Sequence, residues 1–410
     1  MLYDKEIHLS KPGTLADHLS YSERNTLTSL KVSGRLNQED LSGVLSKMCN
    51  SKGDYEGESP DDKWIPDIEH SPKLRYLDLS ECHYEDGTVF PNVWYYPVLK
   101  YFAFPQGIET DDDDLSSSLE CSPLLEEVVL PQGMKKVGGF NGCEKLAKIV
   151  IPDSVTDIND YAFSFCRVLT HIRIPKNVRH IGEGAFAQTG ISAIEIDGDN
   201  PYFSTVDGVV FSKDLKTLIA FPGSPREHYS MPQGTESIAP GAFDDCNVDY
   251  LTIPDSVTDI SYSAFQCSGL RELWVPDNVK HIGGYCFRGS SEMLRLRLPC
   301  NIEVVDSHML TSCHKLELLI LPYYLKEIDA ETFAYCCSLQ CIVCPSPKPP
   351  LLKNIQSENW KEATSNPVFH VAVPASSLSL YESAEGWGQV RLKPIEDVII
   401  QNLTVFSSFD

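Results

Sequence analysis

The residues with the greatest capacity for chemistry in this sequence are its fourteen cysteines. Cys341 and Cys344 form a C-x-x-C pair shortly after Cys336 and Cys337, and zinc sites use this spacing. Alternation along a β-strand places Cys341 outward and Cys344 inward, so the two thiols point to opposite faces. Because ligands on opposite faces cannot share one ion, we expect no zinc at this pair, and the sequence indicates no cofactor elsewhere.

Other cysteines recur at one position of a repeating pattern, nine residues before a proline: Cys143, Cys166, Cys267, Cys313 and Cys336. Stacked cysteines can meet the Cα spacing of a disulfide, so bridges between neighbouring repeats are one interpretation. The other is a small apolar side chain that fills a tight turn. The second interpretation is favoured, and we predict reduced thiols.

Two groups of acidic residues could in principle bind calcium. Asp111–Asp114 lie beside Ser116–Ser118, and Asp197, Asp199 and Asp207 cluster further along the chain. Adjacent carboxylates in a loop are more often solvated, and the second group stands among glycine and asparagine residues typical of turns. We therefore predict no metal at either place.

Signatures of catalysis are missing from the sequence. It contains no G-x-S-x-G, no H-E-x-x-H, no P-loop and no G-x-G-x-x-G that opens a helix. Asp306, Ser307 and His308 are neighbours in sequence, but a catalytic triad is defined by geometry in space. The sequence thus predicts a protein that is not an enzyme.

A repeat, rather than a site, dominates the sequence. The phrase "x-I-P-x-x-V-x-x-I" returns as IVIPDSVTDI, IRIPKNVRHI, LTIPDSVTDI and LWVPDNVKHI, usually preceded by "A-F-x-x-C-x-x-L". Apart from one long gap, the repeat prolines follow at steps of 21 to 23 residues, at Pro131, Pro152, Pro175, Pro232, Pro254, Pro276, Pro299, Pro322 and Pro345. A period of this length is typical of leucine-rich repeats.

Each repeat contains one short β-strand that ends at the proline. In LTHIRIP, Ile172 and Ile174 point inward, while His171 and Arg173 point outward. Pro175 ends the strand because it has no N–H for the ladder. Stacked repeats would close a shared core, so the predicted fold is an α/β leucine-rich-repeat right-handed solenoid with a parallel β-sheet on one face.

The repeat is interrupted, which divides the chain into segments. TLADHLS and NQEDLSGVLSKM are predicted as short helices at the start, a β-hairpin is predicted around Lys213-Asp214, and VFHVAVP with ASSLSLYESAEGW supplies a last strand and helix. The predicted organisation is an N-terminal cap and first repeat (1–50), a polar insertion loop (51–70), leucine-rich repeats (71–197), a β-hairpin insertion (198–231), further repeats (232–344) and a C-terminal cap (345–410).

The motif "IP-x-x-V-x-x-I-x-x-x-A-F-x-x-C-x-x-L" resembles the BspA-like class of leucine-rich repeats of bacterial surface proteins. The hairpin phrase "NP-x-Y…V-D-G-V-V-F-S-K-D" and the ending "V-P-A-S…Y-E-S-A-E-G-W" resemble the same family, over roughly residues 20–395. The resemblance implies an exported, surface-attached protein whose relatives bind host proteins or other cells, and it implies no catalytic residues. MLYDKEIHLSKPG has no basic-then-apolar run, so no signal peptide is expected in this chain. A lipid anchor in a fuller precursor stays open.

Charge and hydropathy exclude several classes of partner. The formal net charge is −24, which opposes binding to nucleic acid or to an anionic membrane surface. No run of 18 apolar residues predicts a transmembrane helix. We expect a monomer, and the family resemblance implies a location at the cell surface or outside the cell.

The outward strand positions are where a ligand could be recognised. Successive strands present Tyr/Thr, Glu/Trp, Arg/Arg, Leu/Ile and Cys/Val pairs, and a tryptophan among arginines and aliphatic residues has the composition of an interface hot spot. The leading hypothesis is adhesion to a protein or glycan on a host or neighbouring cell, and the alternative function is a structural or self-associating surface protein. For the face itself, the alternative is that the C-terminal cap or the curvature of the solenoid covers these residues. The candidate ligand-binding residues are Tyr250, Glu272, Trp274, Arg295, Arg297, Leu318 and Ile320.

Overall fold

The computed structural model describes residues 2–49, 73–84, 96–106 and 119–401. The chain divides into two compact units: the N-unit (1–210 with 222–224) and the C-unit (211–221 with 225–410). The predicted insertion loop at 51–70 and the acidic run Asp111–Asp114 lie outside the described residues.

The N-unit is built from short strands stacked in parallel. Its sheet in the order β1-β2-β3-β4-β5-β7 is called the N-unit strand face, and β10-β8-β6 and β11-β9 form two smaller parallel sheets. The helices are α1 (Tyr21–Thr26) and α2 (Ser46–Cys49). The described strands are β1 (Lys5–Leu9), β2 (Ser29–Leu36), β3 (Tyr76–Tyr84), β4 (Tyr101–Ala103), β5 (Glu127–Val129), β6 (Lys136–Val137), β7 (Lys148–Val150), β8 (Asp157–Ile158), β9 (Arg173–Ile174), β10 (His180–Ile181), β11 (Glu195–Ile196), β12 (Phe203–Val206) and β13 (Val209–Ser212), within which the chain passes to the C-unit.

A buried carboxylate ties together the turns at the start of the N-unit. The carboxylate of Asp40, which is buried, accepts hydrogen bonds from the backbone N–H groups of Gly13, Leu15 and Asn37. The predicted helix in TLADHLS is a 3-10 turn at Leu15–His18, and NQEDLSGVLSKM forms a π-helical turn at Glu39–Leu45 followed by α2. The predicted positions are therefore helical, but with other hydrogen-bond patterns than a regular α-helix.

The C-unit repeats the same parallel stacking. Its main sheet, called the C-unit strand face, has the order β15-β17-β19-β21-β23-β25-β27-β28. Strands β14, β16, β18 and β20 also pair in parallel, as do β22, β24 and β26. The helices are α3 (Glu358–Ser365), α4 (Leu378–Ser383) and α5 (Ile395–Gln401). The strands are β14 (Thr217–Ala220), β15 (Arg226–Ser230), β16 (Ser237–Ile238), β17 (Val248–Thr252), β18 (Asp259–Ile260), β19 (Glu272–Trp274), β20 (His281–Ile282), β21 (Arg295–Arg297), β22 (Val304–Val305), β23 (Leu318–Ile320), β24 (Glu327–Asp329), β25 (Cys341–Val343), β26 (Leu351–Lys353), β27 (His370–Val373) and β28 (Leu392–Pro394).

The segment predicted as a hairpin insertion (198–231) contains four of these strands, β12 to β15. β12 and β13 are joined by the two-residue turn Asp207-Gly208, in which both residues have positive φ (51° and 77°). Such a turn matches the twist of paired strands. β14 is the hydrogen-bonded neighbour of β13 across Lys213-Asp214, as the predicted hairpin requires, and on its other side it pairs in parallel with β16.

Stacked phenylalanines fill the interior of both units. In the N-unit the rings of Phe140, Phe163 and Phe186 lie 5.7 and 6.0 Å apart, nearly parallel. In the C-unit the rings of four phenylalanines stack in the same way, with neighbouring ring centroids 4.8 to 5.6 Å apart: Phe221, Phe243, Phe265 and Phe287. One ring per repeat cannot bury itself alone, and stacking removes its two faces from water.

The repeating cysteines have a role beyond small size. Cys166 Sγ donates to the carbonyl oxygen of Phe140 (3.2 Å), and Cys313 Sγ donates to that of Phe287 (3.2 Å), each in the preceding repeat. All fourteen cysteines are free thiols in the structure. Burial raises the pKa of the Cys143 and Cys336 thiols to about 12, which keeps them protonated and able to donate.

The assignment of Cys267 to the cysteine ladder is wrong. Its repeat is one residue shorter before the proline, so Ser268, which is buried, takes the inward position. The Ser268 hydroxyl contacts that of Ser290 (3.2 Å), and Ser290 donates to the Phe265 carbonyl as the ladder thiols do. Cys267 itself is exposed, with φ of 51°.

Candidate functional site

The strand register of the C-unit aligns outward side chains in two columns. The first column runs His228, Tyr250, Glu272, Arg295, Leu318, Cys341 and His370. The second runs Trp274, Arg297, Ile320, Val343, Ala372 and Lys393. All seven candidate residues therefore lie in these two columns, four in the first and three in the second.

The C-terminal helix α5 covers one end of the columns. Val398 is buried with Cys341 and Ala372, and Ile395, Leu318 and Val343 pack against this cluster. Cys341 belongs to the outward column as predicted, but it is only 8% exposed because the helix lies over it. Burial raises its pKa to about 11. The covering of the face by the cap, one of the alternatives from the sequence, is thus realised for part of the face.

A cleft of about 500 Å³ opens where the cover ends. Aliphatic and aromatic side chains form most of its lining: Trp274, Leu318, Ile320, Val343, Ile395 and Val398. The polar side chains that reach it are Arg295, Arg297, Glu317, Gln340 and His370. Of the seven candidates, five line the cleft and two, Tyr250 and Glu272, lie beyond it on the first column.

Both arginines of the cleft are already engaged by carboxylates. Arg295 Nη1 lies 3.0 Å from Glu272 Oε1. Arg297 Nη2 donates to both carboxylate oxygens of Asp277 (2.8 Å each), and Asp277 also accepts from the Cys300 backbone N–H (2.9 Å). Burial alone raises the pKa of Asp277, but the hydrogen bonds from Arg297 and Cys300 outweigh it and lower that pKa overall. The guanidinium charges are therefore balanced within the protein.

Three further polar side chains of the two columns and the cleft are His370, Glu317 and Tyr250. His370 is half-buried at the end of the first column, and its Nδ1 lies 3.0 Å from the Val368 carbonyl oxygen. Burial, followed by the nearby charges of Lys393 and Arg391, lowers the pKa of His370, so the ring is neutral at pH 7. Glu317 is exposed. Tyr250 stacks on His228, with ring centroids 5.0 Å apart.

Several cleft residues were not among the candidates from the sequence. Val343 was recognised as outward but not singled out, Glu317 lies just before β23, and His370 is the first residue of β27, inside the predicted cap. Ile395 and Val398 belong to α5, which the sequence analysis left inside an undivided cap. The apolar spacing i, i+3, i+4 in Ile395–Gln401 is the signal that could have identified this helix.

Other residues considered for chemistry serve the fold. Asp197 forms an ion pair with Arg173 and accepts from the Asp199 backbone N–H, as in a turn. His308 stacks on Tyr285 at 5.6 Å and its Nδ1 contacts the Thr311 hydroxyl (3.4 Å). Among the described residues, no three His, Cys, Asp or Glu side chains are grouped to hold a metal ion. Within the same residues, no helix is both long and apolar enough to cross a membrane.

The N-unit strand face is organised differently. Its outward positions carry ion pairs between neighbouring strands, including Lys31 with Glu81 and Lys148 with Glu127. Near the first strand, the Tyr3 hydroxyl donates to Asp78 (2.8 Å). Val150 is 71% exposed at the other end of this sheet. Charged pairs therefore dominate this face in the part of the chain that the structure describes.

Comparison with known proteins places the chain in a family. A family model described as "BspA type Leucine rich repeat region" matches residues 95–216 and 219–341, with six copies. A solved leucine-rich cell surface protein from Faecalibacterium prausnitzii is 20% identical, with a TM-score of 0.50 over 83% of this chain and 82% of that one. The pneumococcal vaccine antigen PcpA is 18% identical, with a TM-score of 0.48 over 86% and 81%.

A leucine-rich-repeat protein from Eubacterium ventriosum is 19% identical, with a TM-score of 0.40 over 61% of this chain and 86% of that one. The comparison with curated proteins finds no match. Because the family model covers more than half of the sequence, the chain belongs to the BspA-type leucine-rich-repeat proteins.

Proposed function

We propose that this protein is a non-enzymatic binding protein of the bacterial cell surface, which engages a protein or glycan of a host or neighbouring cell through the C-unit strand face. The observation that carries the proposal is the cleft at the edge of α5. Five apolar side chains of its lining, Trp274 among them, remain partly accessible there instead of being sealed into the core.

The composition of the cleft favours binding over catalysis. Its arginines are held by Glu272 and Asp277, and the neutral His370 ring is turned toward a backbone carbonyl. An enzyme needs convergent acid, base or nucleophilic groups aimed at one point. A tryptophan flanked by aliphatic residues instead supplies the apolar contact area of a hot spot.

The surface location rests on similarity. The chain belongs to the BspA-type repeat family, and the F. prausnitzii protein of similar fold is described as a cell surface protein. Repeat proteins of this architecture present an extended sheet to a partner, which suits adhesion.

The test is a double variant, Trp274→Ala with Ile320→Ala. Both side chains are half-buried and in the second column, so their truncation removes contact area without opening the core. Replacing Arg297 would be a poorer test, because it would leave the Asp277 carboxylate without its guanidinium. Binding is measured on arrays of purified extracellular matrix proteins and of glycans, and folding by circular dichroism and thermal unfolding.

We expect the double variant to lose at least about tenfold in affinity for whatever the parent protein binds. The matched control is Val304→Ala, which truncates a 43%-exposed aliphatic residue on β22, in a different sheet of the same unit. Unchanged binding by the double variant would refute the site. No array binding, together with a mass that grows with concentration in light scattering, would favour the structural or self-associating role.

A further inference from the structure

We infer that the cleft recognises a cationic–apolar segment of a partner protein, in which a lysine or arginine side chain follows an aromatic or aliphatic one. This inference rests on the proposed function and specifies its ligand. The apolar lining would receive the aliphatic or aromatic side chain, and Glu317 would receive the cation.

Glu317 supplies the charge that is not balanced within the cleft. Arg295 is paired with Glu272 and Arg297 with Asp277, so the net charge of each ion pair is zero. The Glu317 carboxylate makes no ion pair or side-chain hydrogen bond to any residue that the structure describes. A carboxylate beside apolar surface, where solvent is partly displaced, attracts a cation more strongly than one in open water.

The neighbours of Glu317 along the sheet are neutral. Its backbone N–H donates to the Leu294 carbonyl and its carbonyl accepts from Gln340 N–H, which places Leu294 and Gln340 on either side. His370, at the far end of the lining, is uncharged at pH 7 and does not cancel the carboxylate. Lys393 and Arg391 flank His370 on the cap side.

The lining favours a peptide over a glycan. Six apolar side chains form much of the lining, and its two arginines are already engaged by carboxylates, so the many hydroxyl groups of a sugar would find few available partners. Burial of those hydroxyl groups without hydrogen bonds is costly. A volume of about 500 Å³ accommodates a few side chains and not a globular surface. The net charge of −24 adds long-range attraction for a cationic partner.

The test uses three synthetic peptides with the same glycine–serine flanks and blocked ends. Their central residues are Trp-Leu-Lys, Trp-Leu-Glu and Ser-Ser-Lys, and binding to the full chain is measured by fluorescence polarisation at low and high salt. We expect the Trp-Leu-Lys peptide to bind at least about tenfold more tightly than either of the others, and to weaken as salt screens the charge.

Variants at Glu317 separate charge recognition from folding. Glu317→Gln keeps the shape of the side chain and should weaken binding of the Trp-Leu-Lys peptide by about three- to tenfold. Glu317→Lys should reverse the preference toward Trp-Leu-Glu. The matched control is Glu382→Gln, which removes an exposed carboxylate of α4 away from the cleft and should leave all three affinities unchanged.

The outcomes separate this inference from the function on which it rests. One outcome is that Trp274→Ala/Ile320→Ala loses peptide and array binding, while Glu317→Lys still prefers the same peptide as the parent protein. That outcome would overturn the inference of a cationic ligand but would support the cleft as the binding site. Array binding that depends on Trp274 without binding of any of the three peptides would also overturn the inference. If neither the Trp274→Ala/Ile320→Ala double variant nor the two Glu317 variants change binding to the peptides or the arrays, the proposed function fails as well.

Discussion

The two units share one repeat and one type of core, yet their strand faces differ in character. The N-unit face carries ion pairs such as Lys148 with Glu127 and ends in an exposed valine. The C-unit face changes along its length from charged residues to Leu318, Ile320 and Val343, and α5 covers its end. The outward positions are not constrained by the stacking of the core, so they are free to differ, and recognition is expected where they do.

The cores of the two units should respond alike to loss of a stacked phenylalanine, and this loss is expected to have the largest effect on stability. Phe163 and Phe265 are both fully buried between stacked rings of adjacent repeats. Phe163→Ala in the N-unit and Phe265→Ala in the C-unit should each lower the free energy of unfolding by about 3–5 kcal/mol, because each loses its transfer free energy and leaves a cavity. Chemical denaturation followed by circular dichroism measures the change.

A matched control for this pair is Tyr262→Ala, which truncates a 49%-exposed ring of the C-unit and should cost much less. A small effect of Phe163→Ala beside a large effect of Phe265→Ala would contradict the equivalence of the two cores. In that case the shared stacking would not be the source of stability in the N-unit.

The fold was accessible from the sequence because period and alternation are repeated many times. Inward Ile172 and Ile174 and outward Arg173 are placed as the alternation predicts. The error at Cys267 shows the limit of counting back from the proline, since a single missing residue moves the ladder position to Ser268. The ring spacing was a better guide, because Phe265 stands three residues before Ser268 just as Phe163 stands three before Cys166.

The columns of the candidate site could also be predicted, but not what surrounds them. Trp274 and Arg297 are neighbours because the register follows from the repeat. The pairing of Arg297 with Asp277 depends on how the turn after Pro276 brings a carboxylate back to the strand, and no repeat specifies it. The covering by Val398 joins residues of the cap to strands far earlier in the chain, which local pattern does not encode.

The pair Arg297–Asp277 should stabilise the C-unit face more than the exposed pairs stabilise the N-unit face. Asp277→Asn removes the charge that holds Arg297 and weakens the acceptor for Cys300 N–H. The Asp277 side chain is 49% exposed, so the loss in free energy of unfolding should be about 1 kcal/mol at neutral pH. Parallel denaturation of the parent protein and the variant across pH measures it.

The pH dependence gives this prediction its sign. Because the pKa of Asp277 is lowered in the folded state, its contribution is present above the unfolded pKa and is lost as pH falls through the folded value. The difference between parent and variant should therefore shrink in the acidic range below about pH 4. A difference that stays constant with pH would show that the ionised carboxylate is not its source.

The smallest effect is expected at the N-unit face. The Lys148 side chain is 66% exposed and that of Glu127 33%, so water and salt screen the attraction between them. Lys148→Ala should change the free energy of unfolding by less than about 0.5 kcal/mol, and high salt should remove even that difference. Double-mutant cycles with Glu127→Ala, run beside the cycle for Arg297 and Asp277, measure the two couplings under the same conditions. A larger coupling for the N-unit pair would invert the comparison, because the energetically important charges would then lie on the N-unit strand face.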